Sequence, residues 1–393
     1  FGEIKIFLST DISSQSRIMY YRRIGERVKK AMPFLDYDGD PYMVIAEDGR
    51  LFWFIDAYTT TSRYPYSAFV GNVGNYIRNS VKVTVDAYNG TVSYYVADPK
   101  DPIIRAYRNI FPGVFKPLAD MPPDLRRHIR YPQSYFAIQA RVYALYHMTD
   151  PQVFYNKEDL WRIPESFAEG QTDQMVPYYT IMKLAEVGKQ EEFILMVPFS
   201  PAKKENMIAW LAARCDEPNY GKLLVFDFPK QQLVYGPQQI ESRINQDPDI
   251  SKQITLWNQG GSRVIWGSLL VIPVEQALLY VQPLYLAAEN GGGVPELKRV
   301  IVSFGKSIAM EETLERSLSA IFGGVSQEQR VETPKQAAAA QEPESASVKK
   351  LIAEAGREFE KAQEELSKKN WVGYGQAMGE VQRIIKELGT KVK

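Results

Sequence analysis

Residues 81–96 read Val-Lys-Val-Thr-Val-Asp-Ala-Tyr-Asn-Gly-Thr-Val-Ser-Tyr-Tyr-Val. Two runs rich in β-branched and aromatic side chains flank Asn89-Gly90, a dipeptide suited to a two-residue hairpin turn. That loop pairs Ala87 with Val92, Val85 with Tyr94 and Val83 with Val96. Val81, Val83 and Val85 then share one face, while Lys82, Thr84 and Asp86 share the other. The alternation predicts a sheet with one buried face and one wet face.

A second hairpin is expected just upstream, where Asp48-Gly49 joins residues 42–46 to residues 51–58. A two-residue loop there sets Ala46 opposite Leu51, Ile45 opposite Phe52 and Val44 opposite Trp53. Both faces are apolar, which predicts a central pair covered on two sides. In front of it, residues 13–30 read as an amphipathic helix, with Ile18, Tyr21, Gly25 and Val28 on one stripe. Pro33 ends that helix. Residues 100–150 read as helical blocks cut by Pro112, Pro117, Pro122, Pro123 and Pro132, the best running from Gln133 to about Met148.

Strands are expected again over 178–183, 192–197, 207–213 and 223–228, then over 263–272, 276–286 and 299–304. A helix over 237–257, broken at Asp247-Pro248, separates the two groups, and another over 311–322 follows the last strand. Runs of strands between irregular helical blocks make an α+β fold with mixed or antiparallel sheets, not a regular α/β repeat.

The body so predicted spans residues 1–322, with room for two lobes at about 1–165 and 166–322. Residues 323–347 contain Ala337–Ala340 and few large apolar side chains, and read as a flexible linker. An antiparallel helical hairpin is expected over 348–390. Val348, Leu351, Ala355, Phe359, Ala362 and Leu366 form one stripe, and Tyr374, Met378, Val381, Ile385 and Leu388 the other, with Asn370 in the turn.

Composition removes several function classes. The 47 basic and 47 acidic side chains balance, so the basic excess that a nucleic-acid partner calls for is missing. Cys215 is the single cysteine, which rules out an intrachain disulfide. The most apolar stretch, residues 264–274, contains Pro273 and stops at Glu275, well short of the roughly 20 apolar residues of a spanning helix. The start at Phe1, with no signal peptide, sets the expectation of an excised or processed piece.

Several strings are more specific than composition: Asp40-Pro41-Tyr42, residues 55–59 (Ile-Asp-Ala-Tyr-Thr), residues 63–67 (Arg-Tyr-Pro-Tyr-Ser) and residues 75–82 (Asn-Tyr-Ile-Arg-Asn-Ser-Val-Lys). Further on come residues 128–132 (His-Ile-Arg-Tyr-Pro), Tyr146-His147-Met148, Glu158-Asp159-Leu160-Trp161 and Tyr235-Gly236-Pro237. Together they resemble an uncharacterised family of large bacterial integral membrane proteins. The resemblance implies about seven N-terminal transmembrane helices in the parent protein, followed by a large soluble region outside the cytoplasm. This chain resembles that soluble region only. The family supplies no catalytic or binding residues.

Chemistry-bearing patterns are few. Gly305-Lys306-Ser307 looks like the end of a phosphate-binding loop, but Val300 stands where the loop needs another glycine, so an ordinary turn is expected. Asp36, Asp38 and Asp40 place oxygen ligands at every second residue, the one pattern that suggests a structural calcium. No other cofactor is expected. His128, His147 and Cys215 lack metal-ligand spacing, and His147 reads as a packed histidine on an apolar helix. The segment 56–79 gathers Asp56, Tyr58, Arg63, Tyr64, Tyr66, Asn75, Tyr76, Arg78 and Asn79. Flat aromatic faces beside hydrogen-bonding groups suit a glycan, a lipid head group or a peptide.

No catalytic motif is present. The leading expectation is a noncatalytic extracytoplasmic module that binds an envelope component or partner protein, with self-association through the C-terminal hairpin. The alternatives are an envelope hydrolase or transferase whose site is assembled from distant residues, recognisable by a deep pocket at Asp56, Asp86, His128 or His147, and a domain that gates or caps a transport pathway.

Overall fold

A computed structural model describes residues 4, 8–10, 12–16, 20–168, 171–184, 190–229, 233–259, 261–274, 277–288 and 294–323, with helical positions 357, 358, 361, 380 and 383. The first sheet is built on the hairpins around residues 42–96. It contains β1 (Asp36–Tyr37), β2 (Tyr42–Ile45), β3 (Leu51–Thr61), β4 (Tyr76–Asp86), β5 (Val92–Val96) and β6 (Phe115–Pro117). Their order is β1-β3-β4-β5-β6, with β2 also on β3, and only the β5–β6 pair is parallel. β3 is thus central as expected, but β2 is an edge strand with Met43 and Ile45 exposed.

Both hairpin registers differ from the expected ones. Around Asp48-Gly49 the pairs are Ile45 with Leu51, Val44 with Phe52 and Met43 with Trp53. The Gly49 amide bonds to the Ala46 carbonyl, and Gly49 sits at φ 80°, so Glu47, Asp48 and Gly49 form a three-residue loop. Around Asn89-Gly90 the pairs are Val85 with Val92, Val83 with Tyr94 and Val81 with Val96, a shift of two. The Asp86 carboxylate accepts from the amides of Tyr88 and Asn89 and so widens the turn. An even shift keeps every side chain on its predicted face.

The predicted wet face is buried. Val81, Val83 and Val85 pack with Ile55 and Ala57 under α1 (Ile24–Ala31) and α2 (Pro102–Ile110), through Val28 and Ile104. On the opposite face Phe54 and Tyr95 meet Met121, Leu125 and Ile129, the middle one on the short helix α3 (Pro123–Arg126). Lys82, Thr84 and Asp86 therefore lie in a covered layer, and Lys82 is only 2 % exposed. Lys82 and Asp86 are charged there because they find partners, Asp56 and Arg50, not because water reaches them. The expected helix over 13–30 is shorter, beginning at Ile24. Tyr21 stands outside it at φ 49°, so it shares no helical stripe with Gly25 and Val28.

The rest of the first unit holds two further five-stranded sheets. After α4 (Gln133–Tyr146) and α5 (Pro151–Asn156) come β7 (Trp161–Arg162) and a small hairpin of β8 (Glu165–Ala168) and β9 (Gln171–Gln174). The second sheet runs β10-β11-β12-β13 from β10 (Tyr178–Lys183), β11 (Glu191–Pro201), β12 (Ala209–Arg214) and β13 (Leu223–Asp227), with β7 on β11. Helices α6 (Pro237–Gln246) and α7 (Pro248–Trp257) meet at Asp247, whose side chain caps the second, as the Asp-Pro step predicts.

The third sheet runs β14-β16-β17-β18, with β15 also on β16. Its strands are β14 (Ser262–Trp266), β15 (Leu270–Val274), β16 (Ala277–Ala288), β17 (Glu296–Phe304) and β18 (Ser307–Glu311). The strand expected over 263–272 is therefore two strands, broken at Gly267. A Cβ there would lie 2.6 Å from Pro283. Gly305-Lys306 is a two-residue turn between β17 and β18, which fixes the expected turn. Because β18 takes residues 307–311, α8 begins only at Leu314 (Leu314–Phe322), capped by Thr313.

Alternation along β11 explains the largest core. Leu195, Val197 and Phe199 join Leu211 and Ala213 of β12, Phe136 and Ala140 of α4, Ile240 and Ile244 of α6, and Leu284 and Ile301 of the third sheet. The chain divides into two units, Phe1–Ser326 and Gln327–Lys393. In the second, Arg357, Glu358, Lys361, Glu380 and Arg383 are helical, and Lys361 pairs with Glu358 at 3.3 Å. The expected linker and helical hairpin otherwise lie outside the described residues.

Candidate functional site

The nine residues of the 56–79 segment do not converge on one site. Asp56, Tyr58 and Asn79 belong to the covered polar layer of the first sheet. Asp56, 4 % exposed, faces Lys82 directly across β3 and β4; the two form an ion pair, and Asn79 Nδ2 donates to the same carboxylate at 3.0 Å. Lys82 also lies over the Tyr220 ring at 5.1 Å. Tyr58 and Ser134 both donate to Asp38.

Tyr76 donates to Asp101 at 2.7 Å, and burial followed by that carboxylate pushes its hydroxyl up to about 12. Asn75 ties down the loop between β3 and β4 by bonding both the amide and the carbonyl of Tyr64. Arg78 lies near Asp98 at 3.9 Å. Arg63, Tyr64 and Tyr66 are exposed on that loop, with Tyr64 stacked on Tyr76.

The acidic turn is likewise divided. Asp36 accepts from Thr60, Asp38 from Tyr58 and Ser134, and Asp40 from Arg130 at 2.6 Å. Each carboxylate turns to a different partner. Among the described residues, no group of three or more His, Cys, Asp or Glu side chains is placed to hold a metal ion. His128 gives its backbone carbonyl to Tyr42, and Cys215 is buried with its thiol pushed up to about 11 by that burial.

A cavity of about 310 Å³ lies instead at one end of the second sheet, lined by Tyr143, His147, Asp159, Trp161, Asp227 and Phe228, among others. Each wall has a local cause. α4 ends at Tyr146, so Tyr143 and His147, four apart, share its final turn. α5 stops where Lys157 adopts a left-handed conformation, and the chain passes Asp159 into β7, which carries Trp161. β13 ends at Asp227, and Phe228 continues its line by donating its amide N–H to the Ile208 carbonyl.

The Trp161 indole stacks on the His147 imidazole with ring centroids 3.8 Å apart, and Tyr143 meets Trp161 edge-on at 6.1 Å. His147 Nδ1 lies 3.2 Å from the Tyr143 carbonyl. A carbonyl only accepts, so Nδ1 carries the hydrogen, and in the neutral ring Nε2 is a bare lone pair. Nε2 is 4.0 Å from Asp159, whose carboxylate is also an acceptor, and the imidazole side chain is only 8 % exposed.

Buried polar groups are normally paired, yet His147 Nε2 and Trp161 Nε1 have no hydrogen-bond partner among the described residues. Burial, then the Asp227 charge, pushes the Tyr143 hydroxyl above its ordinary value. The arrangement offers three aromatic walls, two carboxylates and an uncommitted imidazole nitrogen.

Sequence reasoning named His147 as one place where a deep pocket would mark a site, but it missed the other walls because they come from separate elements. Tyr146-His147-Met148 and Glu158-Asp159-Leu160-Trp161 stand among the strings that carry the family resemblance, but nothing in their spacing says that they meet. A larger hollow of about 500 Å³, between the β8–β9 hairpin and β15, is lined by Gln133, Gln171, Gln174 and Tyr178. Among the described residues, no buried polar side-chain atom without a partner lines it.

No solved structure matches the chain. A protein of Geotalea uraniireducens is 53 % identical over 98 % of the chain, and one of Geobacter sulfurreducens is also 53 % identical over 98 %. A protein of Moorella thermoacetica is 48 % identical over the whole chain. The chain spans only 42–43 % of the length of these relatives, all described as UPF0182 proteins. The family model that matches residues 1–257 is described in the same terms, and the chain belongs to that uncharacterised protein family, UPF0182.

Proposed function

We propose that this region is a noncatalytic binding module of a bacterial membrane protein, facing the cell envelope, and that its ligand enters the cavity beneath His147. One observation carries the reading. A cavity of ligand size, about 310 Å³, is lined by His147 and Trp161, and each keeps a buried ring nitrogen without a hydrogen-bond partner. An unmade bond at a buried polar atom costs about 1–3 kcal/mol. A ligand that completes such bonds recovers that cost.

The membrane setting rests on the resemblance described above, and the relatives' greater length leaves room for spanning segments elsewhere. No helix among the described residues is long and apolar enough to cross a membrane.

The test is a ligand-observed NMR screen of small sugars, amines, carboxylates and peptides against the full chain, repeated with Trp161→Ala and His147→Ala. Compounds that bind the wild type and are lost in both variants support the reading. Binders indifferent to both substitutions would refute it.

An enzymatic reading has one observation in its favour, since His147, Asp159 and Asp227 together could move protons. The described lining residues include no Ser, Thr or Cys to act as a nucleophile. Conversion of a bound compound that stops in His147→Gln would select this reading over simple binding.

A further inference from the structure

We infer that the cavity beneath His147 takes a protonated primary or secondary amine. This rests on the cavity being a ligand site and names the chemistry that would recognise its occupant.

Most of the lining groups that face no partner are acceptors; the exception is Trp161 Nε1, a donor that an ammonium group leaves unanswered. In the neutral imidazole, Nε2 of His147 is a lone pair while Nδ1 donates to the Tyr143 carbonyl, and Asp159 stands 4.0 Å away as a second acceptor. Asp159 is paired with no lysine or arginine among the described residues, and its side chain is half exposed. Asp227, at the end of β13, has no ion pair among the described residues, and its charge reaches Tyr143. The nearby guanidinium of Arg162 is already taken by Glu205 at 2.6 Å, and no lysine or arginine stands among the described lining residues.

The two carboxylates and the His147 acceptor therefore ask for the same thing, a cation that can donate. The remaining walls agree. Tyr143, Trp161 and Phe228 present aromatic rings, and the negative face of a ring attracts an organic cation. An anion would meet two carboxylates. A neutral alcohol could donate a hydrogen bond but would leave the charges unanswered. A quaternary ammonium would satisfy the rings and the charges but has no N–H for Nε2.

The full 393-residue chain is titrated with n-butylammonium, n-butanol, tetramethylammonium and zinc ions by calorimetry, beside the double variant Asp159→Asn/Asp227→Asn. Both aspartates are exposed, so the variant should fold, and circular dichroism verifies it. Butylammonium should bind the wild type saturably. Butanol and tetramethylammonium should bind at least ~10-fold more weakly, and the double variant should lose butylammonium by a similar factor. Equal binding of butanol, retention of the amine by the folded double variant, or a site that takes zinc in preference would each overturn the inference. A neutral compound that occupies the cavity where every amine fails refutes the amine alone. Failure of every class of compound to enter it removes the ligand site itself.

Discussion

The imidazole of His147 lies flat on the indole of Trp161, 25° from parallel, so one residue at the end of α4 holds the single wide ring of β7 in place. The stack and the lone pair are separable. His147→Phe keeps an aromatic plane and removes Nε2, whereas His147→Ala removes both. Ala should cost about 2 kcal/mol of stability and Phe less than about 1 kcal/mol, as aromatic contact and buried area predict. Urea unfolding measures the difference. Equal losses would mean that the ring does not support Trp161.

Lys82 and Asp56 should behave as a coupled buried pair. Lys82→Met leaves the Asp56 carboxylate enclosed with Asn79 alone and should cost about 3–5 kcal/mol. Lys82→Met combined with Asp56→Leu removes both charges and should recover most of that loss. A double-mutant cycle in urea reads the coupling. Strictly additive costs would show that the pair is accessible to water and not a closed unit.

Asp101 should govern acid stability at the base of α2. It caps that helix through the amides of Ile103 and Ile104, and it accepts from Thr59, Ser80 and Tyr76 at 2.6–2.7 Å. Burial raises its carboxyl, but those hydrogen bonds more than offset this and hold it below the usual 3.8. A lowered value in the folded state means stability present above pH 3.8 and lost as pH falls through the folded value. Asp101→Ala should cost about 3 kcal/mol at pH 7, combining a lost cap with donors left unmade. The urea midpoint followed from pH 5 to about pH 2 should fall less steeply in that variant than in the wild type. Identical slopes would exclude Asp101 as the titrating group.

Element type was largely legible in the sequence, and burial was not. Alternation in residues 81–96 fixed which side chains share a face, and that survived a turn two residues wider than Asn-Gly suggests. What could not be read was that Lys82 would be covered. A lysine in an alternating strand looks solvated until its opposite number is known, and Asp56 is supplied by another strand. Helix length failed at residues 13–30 for a related reason, since charge on three sides says nothing about where the first packed turn begins. Asp247-Pro248 worked because cap and proline act locally. The cavity escaped because His147, Asp159, Trp161 and Asp227 are each unremarkable alone. A histidine four residues after a tyrosine looked like core packing, and on one side of the ring it is.

The covered polar face of the first sheet has a consequence for how the body closes. Grease against grease tolerates small rotations, because any methyl group can replace another. Here Lys82 must find Asp56 and the Tyr220 ring, while Arg130 must find Asp40 and lie 4.0 Å over Tyr42. Such a surface works as a key in a lock. Parts of the chain distant in sequence can seat against this sheet in one orientation only, and a near miss strands several charges at once.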